Sequence, residues 1–377
     1  MSASPDGVQI DVLVPIHAPT RPIARLVHSV LDGVVAPVRV LVVAHDTDPR
    51  AIAAAMGELA DDPRVEIVPF EDGIRSPAGP LLHGLSLVSA PWFAKIDSDD
   101  FLAPGALDSW LRVAQEHGAD AVIPRMVTEH GGRNFPTPPR RPFRRRLDPV
   151  RDRLSYRTST MGLLSARLRD AAAPSAGVPT GEDVLPSLRL WFGATRVVGA
   201  DDAAAYVVGE TAGDRVTESA VPLQSQLEFV AGLLDDPIWQ GLSQRAAEAI
   251  VRKVLRVHVL GALALAPDLY REVDREPVAE IVRALGDRAP GAVSALSRAD
   301  AALVAVLAQG EAPPETVRRL AVARRRRLRP AGLLPARLGQ LFSRDAPPRF
   351  LVASVLALRR GGGVPKGAGG PPDKIDG

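Results

Sequence analysis

Three aspartates, Asp97, Asp99 and Asp100, lie within four positions of one another, directly after a short apolar run at residues 92–96. The apolar run is typical of a buried strand. Because close-set carboxylates repel one another and are costly to desolvate, a positive group is expected to join them. A hard divalent cation that holds a phosphate is the first candidate. The alternative is that Asp99 or Asp100 only caps the helix that follows.

A second acidic pair, Glu182 and Asp183, precedes a predicted amphipathic helix that carries Arg189. Since a helix N-terminus favours negative charge, capping alone could account for the pair. Thr180 stands three positions before Asp183, which is the spacing of a capping box.

Strands and helices alternate through the first third of the chain. Strands are predicted at residues 9–16, 38–43, 65–68, 92–96 and 121–123, and helices at residues 23–31, 51–59, 79–89 and 104–117. This alternation implies right-handed crossovers and a mainly parallel sheet flanked by helices. In such sheets ligands bind beyond the carboxyl ends of the strands, which is where Asp97 and Asp99 fall.

The composition changes after this α/β part. Residues 129–153 are rich in Gly, Pro and Arg, which predicts either a solvated surface loop or a mobile basic arm over the site. A short helix is predicted at residues 166–172, strands at 196–198 and 203–208, and a long helix at 242–265. Residues 1–220 are therefore predicted to form an α/β domain, residues 221–312 a helical region, and residues 313–377 a basic, partly disordered tail.

Bulk composition excludes several classes of site. The 377 residues contain no cysteine, which excludes disulfides, thiolate nucleophiles and Cys-ligated zinc. The formal charge of +2 is close to neutral for a chain of this length. The N-terminus shows no basic stretch followed by an apolar run, and no apolar run is long enough to span a bilayer. The sequence therefore predicts a cytoplasmic protein.

Two apolar-basic segments stand near the C-terminus, at residues 333–341 and 350–358. Basic amphipathic segments bind anionic membrane surfaces, so peripheral contact with the inner face of a membrane is one interpretation. A basic helix end followed by a disordered tail is the other. Nucleic acid is not expected as a partner, because aromatic residues that could stack on bases are not interleaved with the arginines.

The order of these features resembles the family-2 glycosyltransferases of GT-A fold, over residues 9–217. The resemblance depends on the Asp-x-Asp-Asp run after the fourth strand and on Gly-Glu-Asp before a later helix that contains Arg189. It implies a Rossmann-like, mainly parallel sheet with a C-terminal helical attachment. It also implies that Asp99 holds Mg²⁺ or Mn²⁺, that Asp97 lies near the metal or the ribose, and that Asp183 is the catalytic base.

The resemblance further implies a nucleotide-sugar site. The donor-binding residues would be Pro15, His17, His45, Asp46, Arg75, Asp97, Ser98 and Arg215, with Glu182 and Arg189 on the acceptor side. Two features depart from the family pattern. The Asp pair expected after the second strand is replaced by Ala44 and His45, and Arg75 is the nearest substitute for the basic residue expected before the third helix.

The implied function is an inverting glycosyltransferase that moves a sugar from a nucleotide-diphosphate donor to a hydroxyl on a cell-surface glycan or lipid-linked precursor. The alternatives are a sugar-1-phosphate nucleotidyltransferase and a catalytically degenerate nucleotide-sugar-binding scaffold. The first should carry a Gly-rich phosphate loop after strand one, whereas residues 17–22 contain no glycine.

Overall fold

The computed structural model describes residues 7–130, 141, 144–158, 160–175, 177–178, 180–194, 196–210, 222–324 and 329–359. The strands are β1 (Ile10–Ile16), β2 (Val38–His45), β3 (Val65–Phe70), β4 (Trp92–Lys95), β5 (Phe101–Leu102), β6 (Ala121–Pro124), β7 (Met126–Thr128), β8 (Leu163–Ser165), β9 (Val197–Ala200) and β10 (Tyr206–Val208). The helices are α1 (Ile23–Leu31), α2 (Pro49–Met56), α3 (Ala78–Ser86), α4 (Ala106–His117), α5 (Val184–Gly193), α6 (Leu223–Gln226), α7 (Phe229–Asp235), α8 (Ile238–Gly241), α9 (Gln244–Lys253), α10 (Leu260–Leu265), α11 (Arg275–Arg288), α12 (Arg298–Gln309), α13 (Pro314–Arg324), α14 (Pro330–Leu333) and α15 (Pro347–Arg359).

The central sheet has seven strands in the order β3-β2-β1-β4-β8-β6-β9. All neighbours run parallel except β8, which is antiparallel to both β4 and β6. The predicted mainly parallel α/β architecture with a C-terminal helical region is therefore confirmed. Because β1 to β4 are parallel, the residues that follow them emerge at one edge of the sheet.

The two faces of the sheet are covered by different helices. In β1, Ile10, Val12 and Val14 face the core formed with α1, α2 and α4. Leu13 points to the opposite face, into a second core that includes α3 and the end of α5. This alternation follows from the two-residue period of a strand, and burial on both faces explains why β1 and β2 are almost continuously apolar.

A second, three-stranded sheet with the order β5-β10-β7 lies beside the central one. It brings Tyr206 next to Leu102, and so brings the chain after residue 200 back to the loop that follows β4. The sequence predicts a strand around β10 but not this sheet, because β5 and β7 have only two and three residues.

Helix α5 joins the sheet to the helical region. Its first turns contribute Val184, Leu185 and Leu188 to the helical core, where they pack with residues of α7 and α9. Its last residues, Leu190 and Trp191, belong to the core under the sheet. The start of α5, which follows Asp183, is thus fixed by packing on both sides.

Two local predictions differ from the structure. The helix predicted at residues 166–172 is only a 3₁₀ turn, Ala166–Leu168. The long helix predicted at 242–265 is interrupted by a π-helical stretch, Val254–Val259, between α9 and α10. The basic residues after 312 begin with an ordered helix, α13, whose Val317 and Ala321 are fully buried in the helical core.

The described part of the basic arm packs against the sheet. The Asp152 carboxylate accepts hydrogen bonds from Arg141 and from the Asp148 amide, and the Leu147 amide donates to the Val197 carbonyl. The rest of the predicted arm, residues 131–140, 142 and 143, lies outside the described residues, as do the arginines at 325–327 and residues 360–377. Among the described helices, none is long and apolar enough to cross a bilayer.

Asp345 connects the C-terminal part of the chain with both the α/β part and the helical region. Its carboxylate pairs with Arg153 at 3.2 Å and with Arg252 at 2.7 Å, and both guanidinium groups are buried. We expect Asp345→Asn to lower the free energy of unfolding by about 3 kcal/mol, because it leaves two buried cations without their anion. Urea denaturation measures this value.

The matched control is Asp170→Asn, which removes a carboxylate that is 93% exposed and paired with Arg169 on the surface. Its effect should stay within about 0.5 kcal/mol. Equal stabilities for the two variants would contradict a structural role for Asp345.

Candidate active site

The sequence-predicted residues after β1, β2 and β4 meet at the carboxyl edge of the central sheet. Pro15 lies half-buried near the end of β1, with His17 exposed just beyond it. His45 ends β2, and Asp97 follows β4. The structure thus brings the predicted donor-side residues of three separate segments to one edge.

The loop after β4 is held by Asp100. The Tyr206 hydroxyl donates to Asp100 Oδ2 at 2.6 Å, and the Gly209 amide donates to Asp100 Oδ1 at 2.8 Å. The Asp100 amide donates to the Asp97 carbonyl at 2.9 Å. Burial raises the pKa of Asp100 to about 7, with a further contribution from the Asp97 charge, while its two hydrogen bonds oppose the rise. Asp100 therefore shapes the loop rather than facing a ligand.

The capping explanation for these aspartates is wrong. The N-cap of α4 is Gly105, and no side chain caps this helix. Two residues of β5 and a turn separate Asp100 from α4, so Asp99 and Asp100 do not reach its first turn. The carboxylates of Asp97 and Asp99 therefore do not serve as helix caps of α4.

Asp97 and Asp99 each lie beside a cation of the protein. Asp97 Oδ1 is 3.0 Å from Lys95 Nζ, and Asp99 Oδ2 is 3.2 Å from Arg21 Nη1. Arg25 donates to the Asp99 carbonyl at 3.2 Å and stacks on Phe101, which fixes the backbone here. Two carboxylates at a strand end are hard oxygen donors, so Asp97 and Asp99 could hold a divalent cation.

Lys95 connects the first carboxylate set with the second. Burial lowers the pKa of the Lys95 ammonium, but the negative charges of Asp97, Asp183 and Glu182 outweigh burial and raise it overall. Asp183 and Glu182 are therefore close enough to act on the lysine that contacts Asp97. The charges of the two acidic motifs, some 85 positions apart in the chain, thus act on the same lysine.

Asp183 is half-buried at the start of α5, where its side chain makes no capping hydrogen bond. Thr180 does not cap α5 either, since its hydroxyl donates to the Gln226 carbonyl at 3.4 Å. Burial and the neighbouring Glu182 charge raise the pKa of Asp183 to about 6, against the opposing effect of Lys253 and Lys95. A carboxylate with a pKa near neutrality is suited to general base catalysis.

The helical region supplies Lys253 to the same site. Its side chain is 1% exposed at the end of α9, and Nζ donates to His258 Nε2 at 2.6 Å. Burial holds the pKa of His258 down to about 2, so the imidazole is neutral and can accept this hydrogen bond. Burial lowers the pKa of Lys253 as well, while Asp183 opposes that shift. The π-helical stretch begins directly after Lys253, and such irregularities are frequent at functional sites.

A polar cluster forms at the ends of β2 and β3. His45 Nε2 lies 2.8 Å from Asp72 Oδ1 and 3.3 Å from Asp46 Oδ2. Asp46 adopts a left-handed backbone conformation, φ 49°, and accepts from the Asp72 amide. Among the described residues, this cluster is the group of three whose ligand atoms lie within 4.8 Å of one another, so it could hold a metal ion or a polar ligand edge.

The other predicted residues have varied surroundings. Ser98 is buried in the β4–β5 loop, and Arg75 is exposed in the loop before α3. Arg189 pairs with Asp236 at 2.6 Å, so the arginine's positive charge is balanced by this carboxylate. The pair connects α5 with the start of α8, because Asp236 also accepts a hydrogen bond from the Ile238 amide. Arg215 lies outside the described residues.

Sequence reasoning missed Arg21, Lys95, Tyr206, Gly209 and Lys253. One signal was available: a lysine inside an apolar strand, as at Lys95, predicts a buried charge that needs acidic partners. Tyr206, Gly209 and Lys253 had no local signal, because the small sheet and the helical region bring them to the site.

The solved structures that are similar to this one include crystal structures of S. aureus TarS. The structure matches S. aureus TarS 1–349 in complex with UDP-GlcNAc with a TM-score of 0.68 and 15% identity, over 84% of this chain and 92% of that chain. The complex of the same fragment with UDP gives a TM-score of 0.65 and 14% identity, over 84% and 91%. The architecture is therefore the GT-A fold.

The sequence also matches a family model. Residues 11–171 match the model of Glycosyl transferase family 2, the family that the acidic motifs indicated. Compared with the curated proteins, the sequence has no significant match.

Gly209 provides a test of the loop geometry. A Cβ at this position would lie 1.9 Å from the Asp99 carbonyl oxygen, so Gly209→Ala must displace the loop that carries Asp99. We expect a loss of about 2 kcal/mol in the free energy of unfolding, measured by urea denaturation. Gly232→Ala in α7 is the control, since its Cβ meets nothing within 4 Å and should be neutral or stabilising. A Gly209→Ala variant as stable as the wild type would contradict the close approach.

Proposed function

We propose that the chain is an inverting glycosyltransferase that transfers a sugar from a nucleotide-diphosphate donor to a hydroxyl acceptor. The observation that carries the proposal is the pair of carboxylate sets linked by Lys95. Asp97 and Asp99 lie among cations at the strand edge, whereas Asp183 is half-buried and has a raised pKa. One set suits a leaving diphosphate, and the other suits an attacking hydroxyl.

The donor would lie along the carboxyl edge of β1 to β4. TarS was crystallised with UDP-GlcNAc and with UDP, which supports a nucleotide-sugar donor for this similar fold. His45 and Asp46 would contact the base, and Pro15 would border it. The ribose and diphosphate would contact Asp97 and Ser98, with His17, Arg75 and Arg215 contributing further polar groups.

Asp99 would hold Mg²⁺ or Mn²⁺, with Asp97 beside it. A bound divalent ion supplies Lewis-acid stabilisation of the negative charge on the leaving diphosphate. Arg21, now paired with Asp99, adds positive charge next to the same position. The Asp100 hydrogen bonds to Tyr206 and Gly209 keep both carboxylates at fixed places on the loop.

Asp183 would act as the general base. As the acceptor oxygen forms its bond to the anomeric carbon, the bond from that carbon to the diphosphate oxygen breaks and its electron pair leaves with the diphosphate. The proton of the hydroxyl passes to the Asp183 carboxylate. Lys253 and Lys95 keep this carboxylate ionised by lowering its pKa against burial. One displacement without a nucleophile of the protein inverts the anomeric configuration.

The acceptor side would be formed around Glu182, next to the base. By analogy with the family, the acceptor class is a cell-surface glycan or a lipid-linked precursor. Arg189 was also predicted on this side; its pairing with Asp236 supports a role in holding α5 against the helical region.

Asp183→Asn tests the base. The amide cannot take the proton, so transfer should fall at least about 100-fold while the dissociation constant for the donor stays within about twofold.

The pH dependence of the wild type tests the same assignment. Its kcat/KM should rise with pH through about 6, because the base acts only when it is deprotonated. Asp170→Asn, an exposed change, is the control. An Asp183→Asn variant that transfers normally would refute the base assignment, and donor binding without transfer by the wild type would indicate a scaffold.

Asp99→Asn tests the metal set. We expect the Mn²⁺-dependent part of donor affinity to be lost, because a hard carboxylate ligand is replaced by a neutral amide. A thermal-shift panel of nucleotide sugars with and without Mn²⁺ measures this, starting with UDP-GlcNAc. The exposed Asp61→Asn variant should behave as the wild type. Retained Mn²⁺ dependence in Asp99→Asn would remove this residue as a ligand.

A further inference from the structure

The C-terminal segment, defined here as residues 329–356, is anchored to the body by its inner side. The Phe350 ring packs on Tyr156 at 5.4 Å between centroids, and the Arg153 and Arg256 guanidinium groups lie over it at 5.1 and 4.8 Å. The Asp345 carboxylate pairs with Arg153 and Arg252. These contacts fix which side of the segment faces the protein.

The outer side of the segment carries no negative charge. Asp345 is the one acidic residue between positions 329 and 356. Its carboxylate is neutralised on the inner side by ion pairs with Arg153 and Arg252. Arg329, Arg337 and Arg349 are exposed. The outward charge of the segment is therefore wholly positive.

Large apolar side chains stand beside these arginines. Phe342 is 83% exposed, and Leu338, four positions earlier, is 59% exposed. On α15, Val352, Val355 and Leu356 are exposed at spacings that place them on one helix face. Arg349, at the start of α15, donates a hydrogen bond to the Phe342 carbonyl. A basic residue therefore lies between Phe342 and the exposed apolar residues of α15.

We propose that this outer side of the segment binds the surface of an anionic lipid membrane. Apolar side chains with flanking arginines and no carboxylates are the composition that inserts at the headgroup boundary while pairing with lipid phosphates. A second copy of the chain is a poorer partner, because a two-fold contact would bring the same arginines face to face. The inference extends the proposed function by placing the enzyme where lipid-linked or surface acceptors lie, but vesicle binding needs no donor or acceptor.

The test is cosedimentation of the full chain with vesicles of phosphatidylcholine alone and with a third of phosphatidylglycerol. We expect binding to the anionic vesicles only, weakened by added salt. The double variant Phe342→Ser/Val355→Ser should bind at least about tenfold more weakly, since both side chains supply the buried apolar surface. Leu265→Ser is the control, because this leucine is 85% exposed outside the segment and should leave binding unchanged.

Far-UV circular dichroism checks that the double variant remains folded, and Arg337→Glu gives a second variant that changes charge alone. Wild-type protein that stays in the supernatant with anionic vesicles would overturn the proposal, as would a double variant that binds like the wild type. A dimer in sedimentation velocity that both variants dissociate would assign the surface to a second copy instead. Asp183→Asn should keep vesicle binding, so loss of transfer and loss of membrane binding are distinguishable.

Discussion

The hydrogen bonds that Asp100 accepts from Tyr206 and Gly209 are the interaction on which the site depends most. They hold the five-residue loop between β4 and β5, residues 96–100, and so determine where Asp97 and Asp99 present their carboxylates. The Gly209 backbone approaches the Asp99 carbonyl so closely that a side chain would not fit. The three-stranded sheet supports that approach, because β10 carries Tyr206 and ends directly before Gly209.

The second constraint is electrostatic. Asp183 gains a raised pKa from burial and from Glu182, and two lysines from different parts of the chain keep the rise moderate. Lys95 comes from the sheet and Lys253 from the helical region, so the proposed base depends on the packing of α5 between the two cores. The helical region is thereby part of the proposed site and not only a support.

Much of this architecture was predictable from the sequence, and the reasons are physical. Helix α1 was predicted at its observed bounds, because its apolar residues repeat at helical spacing and Gly33 stands just past its end. Strands buried on both faces, such as β2, are recognisable as apolar runs. The short strands β5 and β7 could not be predicted, since two or three residues carry no periodicity. The hydrogen bonds of Asp100 could not be predicted from the sequence either, because its partners lie more than 100 positions away.

The central claim is that a single displacement, assisted by Asp183, transfers the sugar. The most direct measurement is proton NMR of the anomeric signal of the first-formed product, from a nucleotide sugar that the protein turns over. UDP-GlcNAc, whose sugar is α-linked, is the first donor to use. The account predicts a β-configured product before mutarotation. A product formed first with the α configuration would contradict it, because a single displacement from the opposite face of the sugar inverts the anomeric configuration.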